Sequence, residues 1–234
     1  MRVGVLKTYK LLINGQFVRS ESGRAFEVRT ASGAFLANVA QASRKDLRDA
    51  VQAARKAQFG WAQRTAYNRG QILYRIAEML ESRREAFEHE ITLATGVPSA
   101  EAAREVDTAI DRWVYYAGWS DKWSALLSSL NPVAMPMHNF PLPEPMGVVG
   151  LVCPDEAPLT SLTSLLAPVM VSGNTAVVIL SERYPTVGLS FGEVLETSDL
   201  PAGVVNLLTG FRDELLPHLC AHVEVDALNL CGVP

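Results

Sequence analysis

The chain has 234 residues, 48% of them hydrophobic and 20% charged, with 21 basic against 25 acidic side chains for a net charge of −4. That balance describes a globular chain with a substantial core and excludes the basic face that a nucleic-acid partner would require. No window approaches a membrane span except around 159–180, and Pro158, Pro168, Gly173 and Asn174 break it.

The N-terminal "MRVGVLKTYK" lacks the apolar run and small-residue cleavage site of a secretory leader. Cys153, Cys220 and Cys231 are three scattered thiols without a Cys-x-x-Cys spacing. They read as reduced cysteines and point to a cytoplasmic protein.

In chain order, "LLINGQFV" at 11–18 is a hairpin signal, because Asn14-Gly15 suits a type I′ turn. "AFEVRTA" and "FLANVAQA" predict two further strands. Ser43, with Asp46 three residues on, predicts a helix N-terminus, and Leu47, Ala50, Val51, Ala54 and Ala57 give that helix one apolar stripe. A second helix is expected over 67–93, with Ile72, Ile76, Met79, Leu80, Phe87 and Ile91 inward and Gly96-Val97-Pro98 as its stop. A third is expected from Ser99, with Val106, Ala109, Ile110, Trp113 and Ala117 on one face, continuing through "GWSDKWSALLSSL".

Five prolines between 132 and 145, interleaved with Met, Phe and Leu, predict an extended apolar arm. From Gly147 onward apolar strands alternate with helices: "GVVGLVC", "LTSLTSLLAPVMVS", "TAVVIL", "TVGLSFGEVLETS", "GVVNLLTG", "DELLPHLCAHV" and "VDALNLCG". Near-continuous apolar strands with short crossovers imply a parallel sheet covered on both faces. The expected fold is therefore α/β, a hairpin and helices over 1–131, an arm over 132–146 and a Rossmann-like part over 147–234, forming one compact unit.

"LLINGQFV", "YYAGWSDKW", "EPMGVVGLVCP", "APVMVSGNTAVVI", "LPAGVVNLLTG" and "VDALNLCG" together resemble the aldehyde dehydrogenase superfamily over essentially the whole chain. The resemblance implies a Rossmann-like cofactor domain, NAD or NADP as hydride acceptor, a cysteine nucleophile in a catalytic domain, and an arm that builds oligomers. It also implies a site, and here the sequence departs from the family. Where the family has PWNFP, with an asparagine in the oxyanion hole, this chain has Pro154, Asp155, Glu156, Ala157 and Pro158. A carboxylate accepts hydrogen bonds and donates none, so Glu156 cannot replace that donor. The family's KPSE becomes "ILSE", keeping Ser181 and Glu182 but putting Leu180 at or near the lysine. The Gly-rich loop becomes "TGFRDELLP", keeping Gly210 and placing Arg212 on the second glycine. FTGS becomes "LCGV", keeping Gly232 and losing the hydroxyl at Val233.

No position matches the nucleophilic cysteine or the general-base glutamate. The chain looks like the degenerate second copy of a tandem aldehyde dehydrogenase, truncated before the catalytic domain. The expectation is a non-catalytic structural or regulatory subunit with no catalytic residues of its own. Ser181, Glu182, Gly210 and Gly232 remain as vestiges of a cofactor site, and NAD(P) binding is weak or lost. Partners are a second copy or a full-length aldehyde dehydrogenase, with no nucleic acid and no membrane. The alternative is a component of an NAD(P)-dependent aldehyde dehydrogenase whose cysteine comes from a partner chain or further sequence.

Blander readings cover the remaining reactive residues. Asp155 and Glu156 are expected in a solvated turn, their charge favouring the dipole of the next helix. Cys153 and Cys231 are expected as buried thiols. His218 and His222 stand at i and i+4 without a third ligand and read as structural, with no metal. Trp113, Tyr115, Tyr116, Trp119 and Trp123 read as core and interface.

Overall fold

The structure is a computed structural model and describes residues 6–233. β1 (Leu11–Ile13) and β2 (Gln16–Val18) form the expected hairpin, with Asn14 and Gly15 at φ 52° and 70° as a type I′ turn demands. β3 (Ala25–Arg29) and β4 (Phe35–Ala40) pair as a separate antiparallel ribbon. α1 (Arg44–Ala62) begins in a full capping box. The Ser43 hydroxyl accepts from the N–H groups of Lys45 and Asp46, and the Asp46 carboxylate accepts from Ser43 N at 2.7 Å.

The helix expected over 67–93 is two helices, α2 (Ala66–Glu81) and α3 (Arg84–Thr95). The Ser82 hydroxyl donates back to Met79 O at 2.8 Å, and Arg83 leaves helical geometry at φ −115°, ψ 13°. Ile76, Leu80, Phe87 and Ile91 are buried on both sides of the break, so the apolar period carried no trace of it. Gly96 ends α3 at φ 79°, as its position predicts.

α4 (Ser99–Trp119) also stops earlier than expected, and α5 (Trp123–Leu127) is a separate short helix. Here the Lys122 ammonium donates to Gly118 O at 2.6 Å, satisfying a carbonyl at the helix end. α2 and α4 cross closely at this point, where a Cβ on Gly70 would lie 3.1 Å from Ala117 O. Across residues 128–147 there is no helix or strand.

β5 (Val148–Val152), β6 (Thr175–Ile179), β7 (Val205–Leu208) and β8 (Ala227–Asn229) are mutually parallel, connected through α6 (Pro158–Val171), α7 (Pro185–Glu196) and α8 (Arg212–Cys220). The sheet is six-stranded in the order β2-β1-β7-β6-β5-β8. The N-terminal hairpin therefore extends this sheet, β1 running antiparallel to β7, with Asn14 N donating to the buried Asn206 side chain at 2.9 Å. Every residue of β5 and β6 is buried, which is what continuous apolar strands require.

Alternate side chains feed two cores. Val148, Val177 and Leu208 meet Leu47, Val51 and Ala54 of α1 and Leu219 of α8. Leu151, Val178 and Leu207 belong with Leu162 and Leu166 of α6, Phe191 of α7 and Trp113 of α4. Because β6 and β8 lie on opposite sides of β5, the strand order reverses at β5. In open α/β sheets, ligands bind at the carboxyl ends of the strands beside such a point.

Candidate functional site

Three loops leave the carboxyl ends of β5, β6 and β7 side by side. The first carries Cys153 to Ala157, the second Leu180 to Tyr184, and the third Thr209 to Arg212. Asp155 and Arg212, from the first and third, face each other across the second. Arg212 Nη2 donates to Asp155 Oδ1 at 2.7 Å and Nη1 to Oδ2 at 3.1 Å, a two-pronged guanidinium–carboxylate pair.

Both ends of the pair are anchored. Asp155 Oδ1 also accepts from the Ser181 hydroxyl at 2.7 Å and from Arg183 N at 3.2 Å. Arg212 Nη2 donates to Cys153 O at 2.9 Å, and Arg212 N donates to Glu182 at 3.0 Å. Only 16% of the Arg212 side chain and 28% of the Asp155 side chain are exposed. The expectation of a solvated turn therefore fails for Asp155. Burial alone would push its carboxyl up, but the bonds from Arg212, Ser181 and Arg183 N outweigh that and hold it below the ordinary value.

Glu156 turns the other way. It is exposed, and its carboxylate makes no hydrogen bond or ion pair among the described residues. Nor does either carboxylate serve the helix that follows. The first N–H groups of α6, on Leu159 and Thr160, are taken by Glu105 of α4, at 2.8 and 3.3 Å. Burial raises the Glu105 pKa, while those two backbone bonds draw it down. Sequence reasoning missed Glu105, since nothing along the chain joins residue 105 to residue 159. Ala157 enters α6 at φ 44°, ψ 64°, a left-handed conformation that costs energy for a residue with a Cβ.

The remaining expected site residues divide. Ser181 and Glu182 lie within the network just described. Gly232 packs onto the end of β5: its N–H donates to Val152 O at 3.0 Å, and a Cβ there would overlap the Cys153 carbonyl. Gly210 sits in the loop ahead of Arg212. Leu180 is buried and turned inward against Gly188 of α7, so it offers the strand ends neither charge nor polarity.

Cys153 is buried, and desolvation pushes its thiol up to about 12, with Arg212 pulling down and Asp155 adding to the rise. Cys231 is exposed, contrary to expectation, because β8 is the edge strand and its flank, including Leu228 and Leu230, faces outward. A thiol reagent should therefore label the native protein at Cys220 and Cys231, and reach Cys153 only on unfolding. Mass analysis of labelled peptides checks this, and rapid native labelling of Cys153 would contradict it.

His222 accepts from Glu224 N at 3.2 Å, and no group of three metal-ligating side chains exists among the described residues. Trp113 is buried and stacked on Phe191 at 5.7 Å, whereas Tyr115, packed on Tyr116 and Trp119, is largely exposed. No helix among the described residues is long and apolar enough to cross a membrane.

Residues 17–233 match the aldehyde dehydrogenase family. The chain belongs to that family. It is 34% identical over 227 residues to a mitochondrial benzaldehyde dehydrogenase of Antirrhinum majus, covering 95% of this chain and 42% of that one. It is 33% identical over 232 residues to retinal dehydrogenase 2 of Mus musculus, covering 97% and 44%. The NAD+ complex of an aldehyde dehydrogenase from Bacillus cereus superposes with a TM-score of 0.91 at 29% identity, over 95% of this chain and 45% of that one.

The chain thus spans a little under half the length of the aldehyde dehydrogenases it matches. Its sheet, with the strand order reversing at β5, is the family's NAD-binding fold.

Proposed function

We propose that this chain is a non-catalytic aldehyde dehydrogenase-like protein that acts as a structural or regulatory subunit and has little or no affinity for NAD(P). The observation that carries the reading is the free, exposed carboxylate of Glu156 in the turn between β5 and α6. The resemblance to the family puts an amide donor there, aimed at the oxygen on which negative charge develops. A carboxylate raises the energy of that charge instead of lowering it.

The strand ends are equally unsuited to a dinucleotide, whose pyrophosphate needs free N–H donors and cations. The Arg212 guanidinium is already committed to Asp155 and Cys153 O, Leu180 supplies no cation, and Asp155 and Glu156 add negative charge. Losing charged hydrogen bonds at about 1.5–3 kcal/mol each weakens binding by about a hundredfold for two of them. Cys153 is no substitute nucleophile, because its buried thiol stays protonated at neutral pH.

The contacts of a subunit have a ready surface in the apolar arm around Met135 and Phe140, which takes either a second copy or a full-length aldehyde dehydrogenase. The free thiols agree with a cytoplasmic location. A second reading, favoured by the close match to an NAD+ complex, is a component of an active NAD(P)-dependent enzyme whose cysteine lies on other sequence.

Production of NAD(P)H over a panel of aliphatic and aromatic aldehydes separates the two. The expected result is no turnover above the blank. Turnover that scales with added protein and disappears on Cys153→Ala would overturn the first reading. Turnover that appears only with a co-expressed full-length aldehyde dehydrogenase, beyond that enzyme's own rate, would favour the second.

A further inference from the structure

Two of the positions at which this chain departs from its family are bonded to each other. Asp155 stands where the resemblance puts a tryptophan and Arg212 where it puts a glycine, 57 residues apart on different loops. Two independent losses would leave two loose side chains. Here each supplies the charge the other needs, in a two-pronged geometry that fixes both planes.

Resting on the reading that cofactor binding is weakened, we infer that Asp155 and Arg212 are an internal latch that closes the dinucleotide crevice across the ends of β5, β6 and β7. The reach follows from the chain. Arg212 is the first residue of α8, and its side chain runs from the β7 loop over the β6 loop to the β5 loop, ending on Cys153 O. The latch is fastened in the middle as well, by the Ser181 hydroxyl and Arg183 N on Asp155.

Beneath it the frame is intact. Gly232 keeps its close approach to the end of β5, Ser181 and Glu182 remain in place, and the fold superposes on an NAD+ complex with a TM-score of 0.91. The Asp155–Arg212 contact therefore adds a bar across the strand ends to the barriers that Leu180 and Glu156 already present. Arg212 Nε is buried without an acceptor among the described residues, so the guanidinium is only partly satisfied where it lies.

The test titrates NAD+ calorimetrically into the whole chain, the Arg212→Gly and Asp155→Asn variants, and the charge-reversed double variant Asp155→Arg/Arg212→Asp. Arg212→Gly removes the bar and should tighten NAD+ binding by about tenfold or more. Asp155→Asn keeps the volume and breaks only the ionic part, so it should give a smaller gain in the same direction. The charge-reversed pair restores the latch and should bind as weakly as the parent.

A folded Arg212→Gly that binds NAD+ no better than the parent would overturn the latch while leaving weak cofactor binding standing. A charge-reversed variant that binds as well as Arg212→Gly would also overturn it. Micromolar binding by the parent would instead overturn the loss of cofactor affinity, and the ratio of Arg212→Gly to parent would still decide the latch. If Arg212→Gly fails to fold, absence of any gain in Asp155→Asn decides against it.

Discussion

Arg212→Ala is expected to lower the unfolding free energy by about 2–3 kcal/mol at pH 7, between the value of an exposed pair and that of breaking a fully buried one. The intermediate figure follows from exposure, since Arg212 and Asp155 retain 16% and 28% of their side-chain surface. Without the guanidinium, Asp155 keeps its bonds from Ser181 and Arg183 N but stays largely desolvated, and Cys153 O loses a donor.

The pH dependence has a definite sign. The folded-state pKa of Asp155 is depressed, so its contribution is fully present above its unfolded value of about 3.9 and is lost as pH falls through the folded value. The gap between parent and variant should be flat from pH 7 to about 5 and narrow below that. Urea unfolding at a series of pH values measures it. A gap under about 0.5 kcal/mol at neutral pH, or one unchanged in acid, would show that the pair contributes little.

The outline of the fold was readable because it rests on local signals. The Asn14-Gly15 turn, the Ser43–Asp46 capping box and the apolar strands from Val148 onward each act within a few residues, and each appears where the pattern put it. What failed locally were helix ends. The break at Ser82–Arg83 leaves the apolar stripe in phase, so a period of 3.6 residues runs straight through it. At the end of α4 the chain passes close to Gly70 of α2, an approach that only the folded chain brings about.

The site divides on the same line. Its positions could be named from spacing, but the bonds between them could not. Asp155 and Arg212 looked like two separate defects, and Glu105 carried no motif at all, yet its carboxyl oxygen accepts the first N–H groups of α6. Sheet order decides exposure: Cys153 ends a central strand and is buried as expected, whereas Cys231, expected buried, follows the edge strand and is exposed.

The largest change in behaviour is expected from the arm. Met135, Met137, Phe140 and Leu142 expose between 54% and 66% of their surface, and Leu126, Leu127, Leu130 and Met146 around them expose between 64% and 67%. Their backbone has little to bond to within the chain. Asn131 N to Asn139 O and Met137 N to Met135 O are the bonds between backbone groups formed within residues 129–146, among those described.

An apolar strip of this length with unpaired N–H groups is the kind of surface that proteins cover. The purified chain should therefore run as a dimer or larger assembly in light scattering, or join a full-length aldehyde dehydrogenase when co-expressed with it. Replacing Met135, Met137, Phe140 and Leu142 by serine should shift it to monomer. If each of the four gives up about 1 kcal/mol of burial, the sum of about 4 kcal/mol corresponds to roughly a thousandfold in dissociation constant. The same change should leave the thermal midpoint of the separated subunit nearly unmoved, because these side chains lie outside both cores. That contrast distinguishes an interface from a structural segment, whose loss would lower stability and association together. A monodisperse monomer, alone and beside the full-length enzyme, would leave the arm without a partner and the subunit reading without support.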